Sequence, residues 1–303
     1  MISLLEAHLL CCALVLLDLV TRTWRYQWLL QGLETPISFR SALVVNAVGD
    51  AAAAATPNRL GADPARLAAT AYAGVPATAG FVAILIETIV MWPVLIAAAG
   101  WLALIYAPRW WRTAGPLLAA TMERTWPWVV ALIALGIVLW VVLRRFFPVL
   151  SHKMRRSSRR ALAYARRMPA WPIAASVVLT LISQAARVAI LPVMALTLPH
   201  PPPIGPLVFG SFALIYSQLL LPTPSGAGVV DIGFVGGAVG NLGERHRALL
   251  FIWRFYTTIV PIALGVILGL REYGRPVVTA ILRGRAQREA ISAQERAGGD
   301  LSP

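Results

Sequence analysis

The 303-residue chain is 58% hydrophobic and only 13% charged, and its mean hydropathy is positive. Soluble globular domains carry about a quarter charged residues, so that class is excluded and a polytopic membrane protein is expected. A net charge of +14 would suggest nucleic-acid binding in a soluble domain, but here the basic residues cluster between apolar segments, where they act as a topology signal, so no nucleic-acid partner is expected.

Residues 3–20 form a first apolar span, with Glu6, His8 and Asp18 inside it and no basic start of a signal peptide. The reading leaves room for a further helix upstream. Arg22, Trp24, Arg25 and Trp28 follow as an interfacial anchor on the cytoplasmic side. Residues 37–55 are Ala-rich, contain Asn46 and Asp50, and are ended by Thr56-Pro57. Asp63-Pro64 then opens a second short helix to about Val75, with Asp63 as N-cap and Pro64 in the first turn. Two short helices meeting at a Pro/Gly turn make a hairpin over 37–76. Residues 77–106 contain Glu87 and can cross the bilayer with tilt, at ~1.5 Å per residue against a ~30 Å core.

Beyond Arg109, Trp110, Trp111 and Arg112 lies another span, 126–147, and then the most basic loop, 144–169, expected in the cytoplasm. Residues 170–198, interrupted by Arg187 and Pro192, open the second half. The following Pro199-His200-Pro201-Pro202-Pro203 has no acid, Lys or Arg, as expected of the external side. Segment 204–221 enters the membrane, Thr223-Pro224 turns it, and the Gly-rich stretch 229–243 completes a second hairpin, 204–243. Residues 248–270 cross last, and the basic tail 273–303 is cytoplasmic. Trp24, Trp28, Trp110, Trp111 and Trp126 read as interface anchors. Cys11 and Cys12 are adjacent, too close for ordinary disulfide geometry, and the four histidines are scattered. No metal, redox centre or other cofactor is expected.

One motif occurs twice. Thr56-Pro57-Asn58-Arg59-Leu60-Gly61 returns as Thr223-Pro224-Ser225-Gly226-Ala227-Gly228, and one offset of 167 residues relates Pro57 to Pro224, Gly61 to Gly228, Ile37 to Ile204 and Glu87 to Arg254. A constant offset points to a duplicated unit. If each motif turns a re-entrant hairpin, the first half runs inward, dips from inside and crosses outward; 126–147 returns the chain, and the second half does the reverse. Both strongly basic regions then lie in the cytoplasm. The expected fold is therefore an all-α polytopic membrane protein of the bacterial inner membrane. It comprises two inverted repeats, 1–106 and 170–272, each a span, a re-entrant broken-helix hairpin and a span, joined by a linking span in 107–169.

At Pro57-Asn58-Arg59-Leu60-Gly61, Glu87, Pro224-Ser225-Gly226-Ala227-Gly228-Val229-Val230-Asp231 and Trp253-Arg254, the chain resembles the lysylphosphatidylglycerol synthase transmembrane family, also described as flippase-like. The family pattern has a Pro-x-Arg-x-Gly turn in its first half, a Pro-Gly-Gly-x-Gly-x-x-Glu turn in its second and an Arg in the last span. The resemblance covers about residues 10–270. It implies a bundle that moves lipids or lipid-linked headgroups between leaflets, in some members fused to a soluble synthase domain that these residues do not include. Four positions depart from the pattern: Ser225 replaces a glycine, Asp231 a glutamate, Ala62 an acid that here comes one place later as Asp63, and Thr88 an arginine.

Interrupting an apolar segment with Pro and Gly frees backbone groups that need partners in lipid, so paired breaks in two halves point to a transporter's binding site. A half-helix starting in mid-membrane aims a partial positive charge into a cavity and favours an anion there. Arg59 and Arg66 add guanidiniums suited to phosphate. Arg59 is read as a headgroup contact, against snorkelling to the interface or pairing with Asp63, and Arg66 as a second contact. Asp63 is an N-cap or a substrate or proton site. Asp231, in an apolar helix beyond the second turn, is a proton-coupling acid or the partner of a lipid amine. Glu87 and Arg254 form an ion pair with each other or take part in transport. Arg187 faces the bundle, and Asp50 gates the cavity or bonds Asn46 or a backbone group.

The leading functional expectation is a lipid translocase, not an enzyme, acting on an anionic phospholipid or a polyprenyl-phosphate-linked lipid. Two other classes stand beside it. One is a non-catalytic anchor for a synthase or glycosyltransferase, docking through the basic loop. The other is a membrane enzyme on a lipid phosphate, which would need clustered acids or histidines that the sequence lacks. Lipid identity, direction, energy coupling and oligomeric state are not legible.

Overall fold

In the computed structural model, the residues described are 2–102, 104–106, 127, 130, 168–218, 223, 225, 226, 228, 230, 231, 234 and 246–274. Among them are helices and turns and no β-strand. Four helices are long and apolar enough to cross a membrane: α1 (Leu4–Gly32), α4 (Ala77–Tyr106), α5 (Ala170–Ala195) and α7 (Arg247–Gly274). Three shorter ones lie between them, α2 (Phe39–Ala55), α3 (Ala62–Tyr72) and α6 (Ile204–Ser217). Most of the linking span 126–147, the basic loop 144–167, most of the second arm 229–243 and the tail from 275 lie outside the described residues.

α1 starts at a capping box: Ser3 Oγ accepts from the Glu6 amide at 3.2 Å and Glu6 Oε2 accepts from the Ser3 amide at 2.7 Å. The helix does not stop near residue 20. It continues through Arg22, Trp24, Arg25 and Trp28 to Gly32, because Arg22 and Arg25 turn inward to carboxylates instead of anchoring at an interface. Trp24 and Trp28 remain on the outer face, stacked at 6.1 Å. α5 likewise runs unbroken through Arg187 and Pro192, where an interruption was expected. α7 carries a π-helical segment, Phe255–Ile259, directly before Pro261, whose missing N–H disturbs the helical ladder there.

α1 and α5 pack antiparallel along most of their length. Cys11 meets the Ile190 carbonyl, Asp18 meets Ser183 and Arg187, Arg25 meets Thr180, and Gly32 lies against Pro172. α2 and α7 also run antiparallel, with Arg40 paired to Glu272 at 2.8 Å and Gly265 against α2. A Cβ on Gly265 would lie 2.1 Å from the Ala47 carbonyl oxygen, so this backbone approach requires glycine.

The apolar core forms two clusters. Ala7 and Cys11 of α1 join Leu95 and Leu102 of α4, Ile190 and Met194 of α5, Leu207 of α6 and Trp253 of α7. Tyr26, Leu29 and Leu30 of α1 join Ala42 and Val45 of α2, Ala69 of α3, and Val82 and Ala83 of α4. Each cluster thus takes one end of α1 and of α4, and charged side chains occupy the middle. α2 and α3 enter and leave the second cluster, so 37–76 folds back on itself as a hairpin whose turn reaches the middle of the bundle. α6 belongs to the first cluster, together with Val230 and Phe234 beyond the second turn.

Candidate functional site

The two turns share a backbone conformation. Asn58 and Arg59 have φ of 51° and 58°, and their equivalents at the 167-residue offset, Ser225 and Gly226, have 51° and 65°. In each copy the fourth motif residue donates to the carbonyl of the first, Arg59 to Thr56 at 3.3 Å and Gly226 to Thr223 at 3.1 Å. Proline in the second place and a positive φ in the third are the marks of a type II turn. Thr56 closes the first turn further, its hydroxyl donating to Ala52 and accepting from the Gly61 amide, both at 2.8 Å. Gly61 leaves no room for a side chain, since a Cβ would lie 2.8 Å from the Ala52 carbonyl oxygen and from Thr56. The second turn touches the end of α2, where Ser225 Oγ donates to the Ala54 carbonyl at 3.2 Å. Pro224 lies outside the described residues.

A layer of ion pairs surrounds the first turn. Asp18, midway along α1, accepts from Ser183 at 2.5 Å and Arg187 at 3.0 Å and lies 3.1 Å from Arg22. Arg22 also binds Asp50 at 2.8 Å, and Asp50 lies 3.7 Å from Arg59. Deeper in α3 and α4, Glu87 binds Arg25 at 2.8 Å and also Arg66. Arg25 reaches on to Thr180 at 2.8 Å, and Arg66 lies over the Tyr26 ring, 4.6 Å from its centroid. The Arg66 chain crosses α2 where Gly49 makes room for it.

Beside this layer opens a cavity of about 340 Å³, lined by the first turn and by residues of all six helices α1 to α6. A smaller cavity of about 30 Å³ shares Arg22, Asp50, Arg59 and Arg187 with it. Exposure separates the five arginines of the larger cavity. The Arg59 and Arg187 side chains are 26% and 21% exposed, whereas Arg22, Arg25 and Arg66 are at 13% or less. Arg59 makes no side-chain hydrogen bond among the described residues, and its nearest carboxylate is Asp50. Gln184 and Tyr216, hydrogen-bonded to each other, add neutral polar groups to the wall.

The structure therefore brings together six of the residues singled out from the sequence: Asp50, Arg59, Asp63, Arg66, Glu87 and Arg187 all line the larger cavity. Asp63 is not the N-cap of α3. That position is Gly61, and Asp63 falls inside the first turn, where its charge still favours the helix N-terminus. Asp231 and Arg254 do not line either cavity. They pair with each other at 2.8 Å, so the alternative of a Glu87–Arg254 pair is replaced by two local ones. Arg254 also donates to the Ser225 carbonyl at 2.8 Å, and Asp231 accepts from the Gly228 amide at 3.0 Å. The pair fastens the second turn. In the first half an acid on the long helix holds an arginine of the hairpin, and in the second half the signs are exchanged.

Sequence reading missed Asp18, Arg22 and Arg25 as site residues, along with Gln184 and Tyr216. One signal was present: Asp18 and Arg22 are four apart, with Arg25 one turn further on, so a continuous helix presents all three to neighbouring faces.

A family model described as the lysylphosphatidylglycerol synthase TM region matches residues 2–265. No curated protein and no solved structure matches the chain.

Proposed function

The chain belongs to the lysylphosphatidylglycerol synthase TM region family, and from that premise we propose that it is a lipid translocase which carries an anionic, phosphate-bearing headgroup through the cavity beside the first turn. The supporting observation is an arginine-rich cavity at mid-length of helices that are apolar at both ends. Ionisable groups are expensive at that depth and mark substrate paths. Arg59 and Arg187 are the most exposed guanidiniums of the cavity, and Arg59 makes no side-chain hydrogen bond among the described residues, so phosphate oxygens can engage them in the bidentate geometry that arginine favours. Acyl chains stay in the bilayer while the headgroup passes, and no bond is made or broken. In this reading the two hairpins are re-entrant from opposite faces of the bacterial inner membrane, the repeats are inverted, and the basic loop 144–169 and the C-terminus are cytoplasmic.

The test is leaflet exchange of a fluorescent anionic phospholipid in liposomes carrying the purified protein. Wild type is expected to accelerate exchange and Arg59→Gln to abolish the acceleration with the protein still folded. Wild type matching empty liposomes across anionic, zwitterionic and polyprenyl-phosphate probes would overturn the translocase reading and favour a membrane anchor for a synthase or glycosyltransferase.

A further inference from the structure

One residue of the larger cavity belongs to two surfaces. Phe81, Leu85, Ile89, Trp92 and Ile96 recur every three or four positions along α4, so they form one stripe on the helix, and all are exposed. An uncharged apolar stripe on a helix of span length is the face it turns to lipid. Trp92, in the middle of that stripe and 46% exposed, also lines the cavity that holds Arg59 and Arg187. A side chain shared by the lipid face and the cavity wall marks an edge where the cavity opens sideways.

Leu60 supplies a second apolar lip. It follows Arg59 in the first turn, is 72% exposed and lines the same cavity. Met91, next to Trp92 in the chain and partly buried, lines it too. Apolar side chains on the rim of a polar cavity are unfavourable beside water and favourable beside hydrocarbon. Depth decides which of the two is there. Trp92 stands near the middle of the 30 residues of α4. That is roughly 20 Å from either end at ~1.5 Å per residue, and the hydrocarbon core reaches about 15 Å either side of its centre. An opening at this level meets acyl chains. Further along α4 the seam with α6 is closed, because Tyr106 lies against Gly205, where an added Cβ would meet the ring at 2.1 Å.

We propose that the rim of Leu60, Met91 and Trp92 is a lateral entrance and a hydrocarbon subsite, holding the first methylenes of a lipid whose phosphate lies at Arg59 and Arg187. The inference rests on the reading of this cavity as the headgroup site, and it adds the class of ligand: a phosphate ester that carries long hydrocarbon chains. Arg59 and Leu60 are adjacent, so the turn sets a charged contact beside an apolar one. A phospholipid presents its phosphate and its chains in the same order.

The experiment uses phosphatidylglycerol with bromines on its acyl chains, which quench tryptophan on contact, added to the purified protein in detergent. The difference between wild type and Trp92→Phe isolates the emission of Trp92 from that of the other tryptophans. This emission is expected to fall saturably and to recover with excess unbrominated phosphatidylglycerol. Arg59→Gln is expected to raise the half-saturating concentration about tenfold or more, since it removes charged hydrogen bonds to the phosphate. In liposomes, acrylamide, a quencher that stays in water, is expected to leave Trp92 emission unchanged. If Trp92→Phe does not fold, Leu60→Trp puts a reporter on the other lip, and the emission it adds is expected to behave in the same way.

Quenching of Trp92 by acrylamide overturns the proposal, because the mouth then faces water. Bromine quenching that Arg59→Gln leaves unchanged also overturns it, because Trp92 then touches surrounding lipid without connection to the site. Deacylated glycerophosphoglycerol restoring the emission as well as the lipid does would assign the site to a soluble phosphodiester and overturn the hydrocarbon subsite. Accelerated leaflet exchange with Trp92 untouched by bromine overturns the entrance and keeps the translocase reading. Saturable, Arg59-dependent quenching in a protein that does not accelerate exchange supports the entrance and overturns the translocase reading.

Discussion

Ser225 and Ala54, 171 residues apart, are joined by a hydrogen bond of 3.2 Å from the serine hydroxyl to the alanine carbonyl. It links the second turn to the last residues of the helix that leads into the first. An alanine at 225 loses this link, and the expected cost is about 1 kcal/mol of stability. The measurement is the melting temperature in detergent. A leaflet-exchange rate that changes far more than the melting temperature would show that this contact controls transport and does more than hold the fold.

Arg59 and Arg66 separate binding from stability. Arg59 is loosely held and faces the cavity, so Arg59→Gln should lower the melting temperature far less than Arg66→Gln does. Arg66→Gln leaves Glu87 with Arg25 alone among buried groups, and removal of one partner of such a pair costs about 3–5 kcal/mol. Thermal unfolding of both variants checks the contrast. Equal destabilisation would mean that Arg59 is as structural as Arg66.

Glu87 ties α4 to α1 and α3 through its two arginines. Glu87→Gln alone should be strongly destabilising, and adding Arg66→Gln should recover part of the loss, with a coupling of about 0.5–3 kcal/mol in a double-mutant cycle. Additive losses would show that the pair contributes nothing jointly.

The second turn depends on the geometry of one guanidinium. Arg254 reaches Asp231, Ser225 and Gly226 at once, a fork that lysine does not reproduce. Arg254→Lys and Arg254→Ala should therefore both loosen the turn. A cysteine introduced at Thr223 should react with maleimide faster in either variant than in the parent. Unchanged labelling would remove Arg254 from the role of clamp.

At Gly265 the expected effect is steric. A methyl group would meet the Ala47 carbonyl oxygen at 2.1 Å, so Gly265→Ala must push α7 from α2, and overpacking of this kind costs about 1–3 kcal/mol. A melting temperature equal to wild type would mean that the two helices separate freely.

Much of this architecture is legible in the chain itself. Uninterrupted apolar runs of span length, basic segments between them, and Thr-Pro turns repeated at one offset are local properties, written in composition and spacing. The positive φ values at Asn58 and Ser225 follow the same repeat. Helix ends were less legible: Arg22 and Arg25 look like an interfacial stop because arginine in an apolar run ordinarily leaves the membrane, unless a carboxylate meets it inside.

Sequence alone therefore determined the membrane class, the order of the described helices, the places of the two turns and the expectation that arginine and acids gather at the first. Only the tertiary structure decided which charges meet. Asp18 reaches Arg187 because α1 and α5 run antiparallel with their midpoints aligned, and Arg254 turns to Asp231 while Glu87 takes Arg25 and Arg66. Hydropathy shows which stretches are buried in lipid, but the partner of a buried charge depends on which helix faces it, and that is settled by packing between segments far apart in the chain.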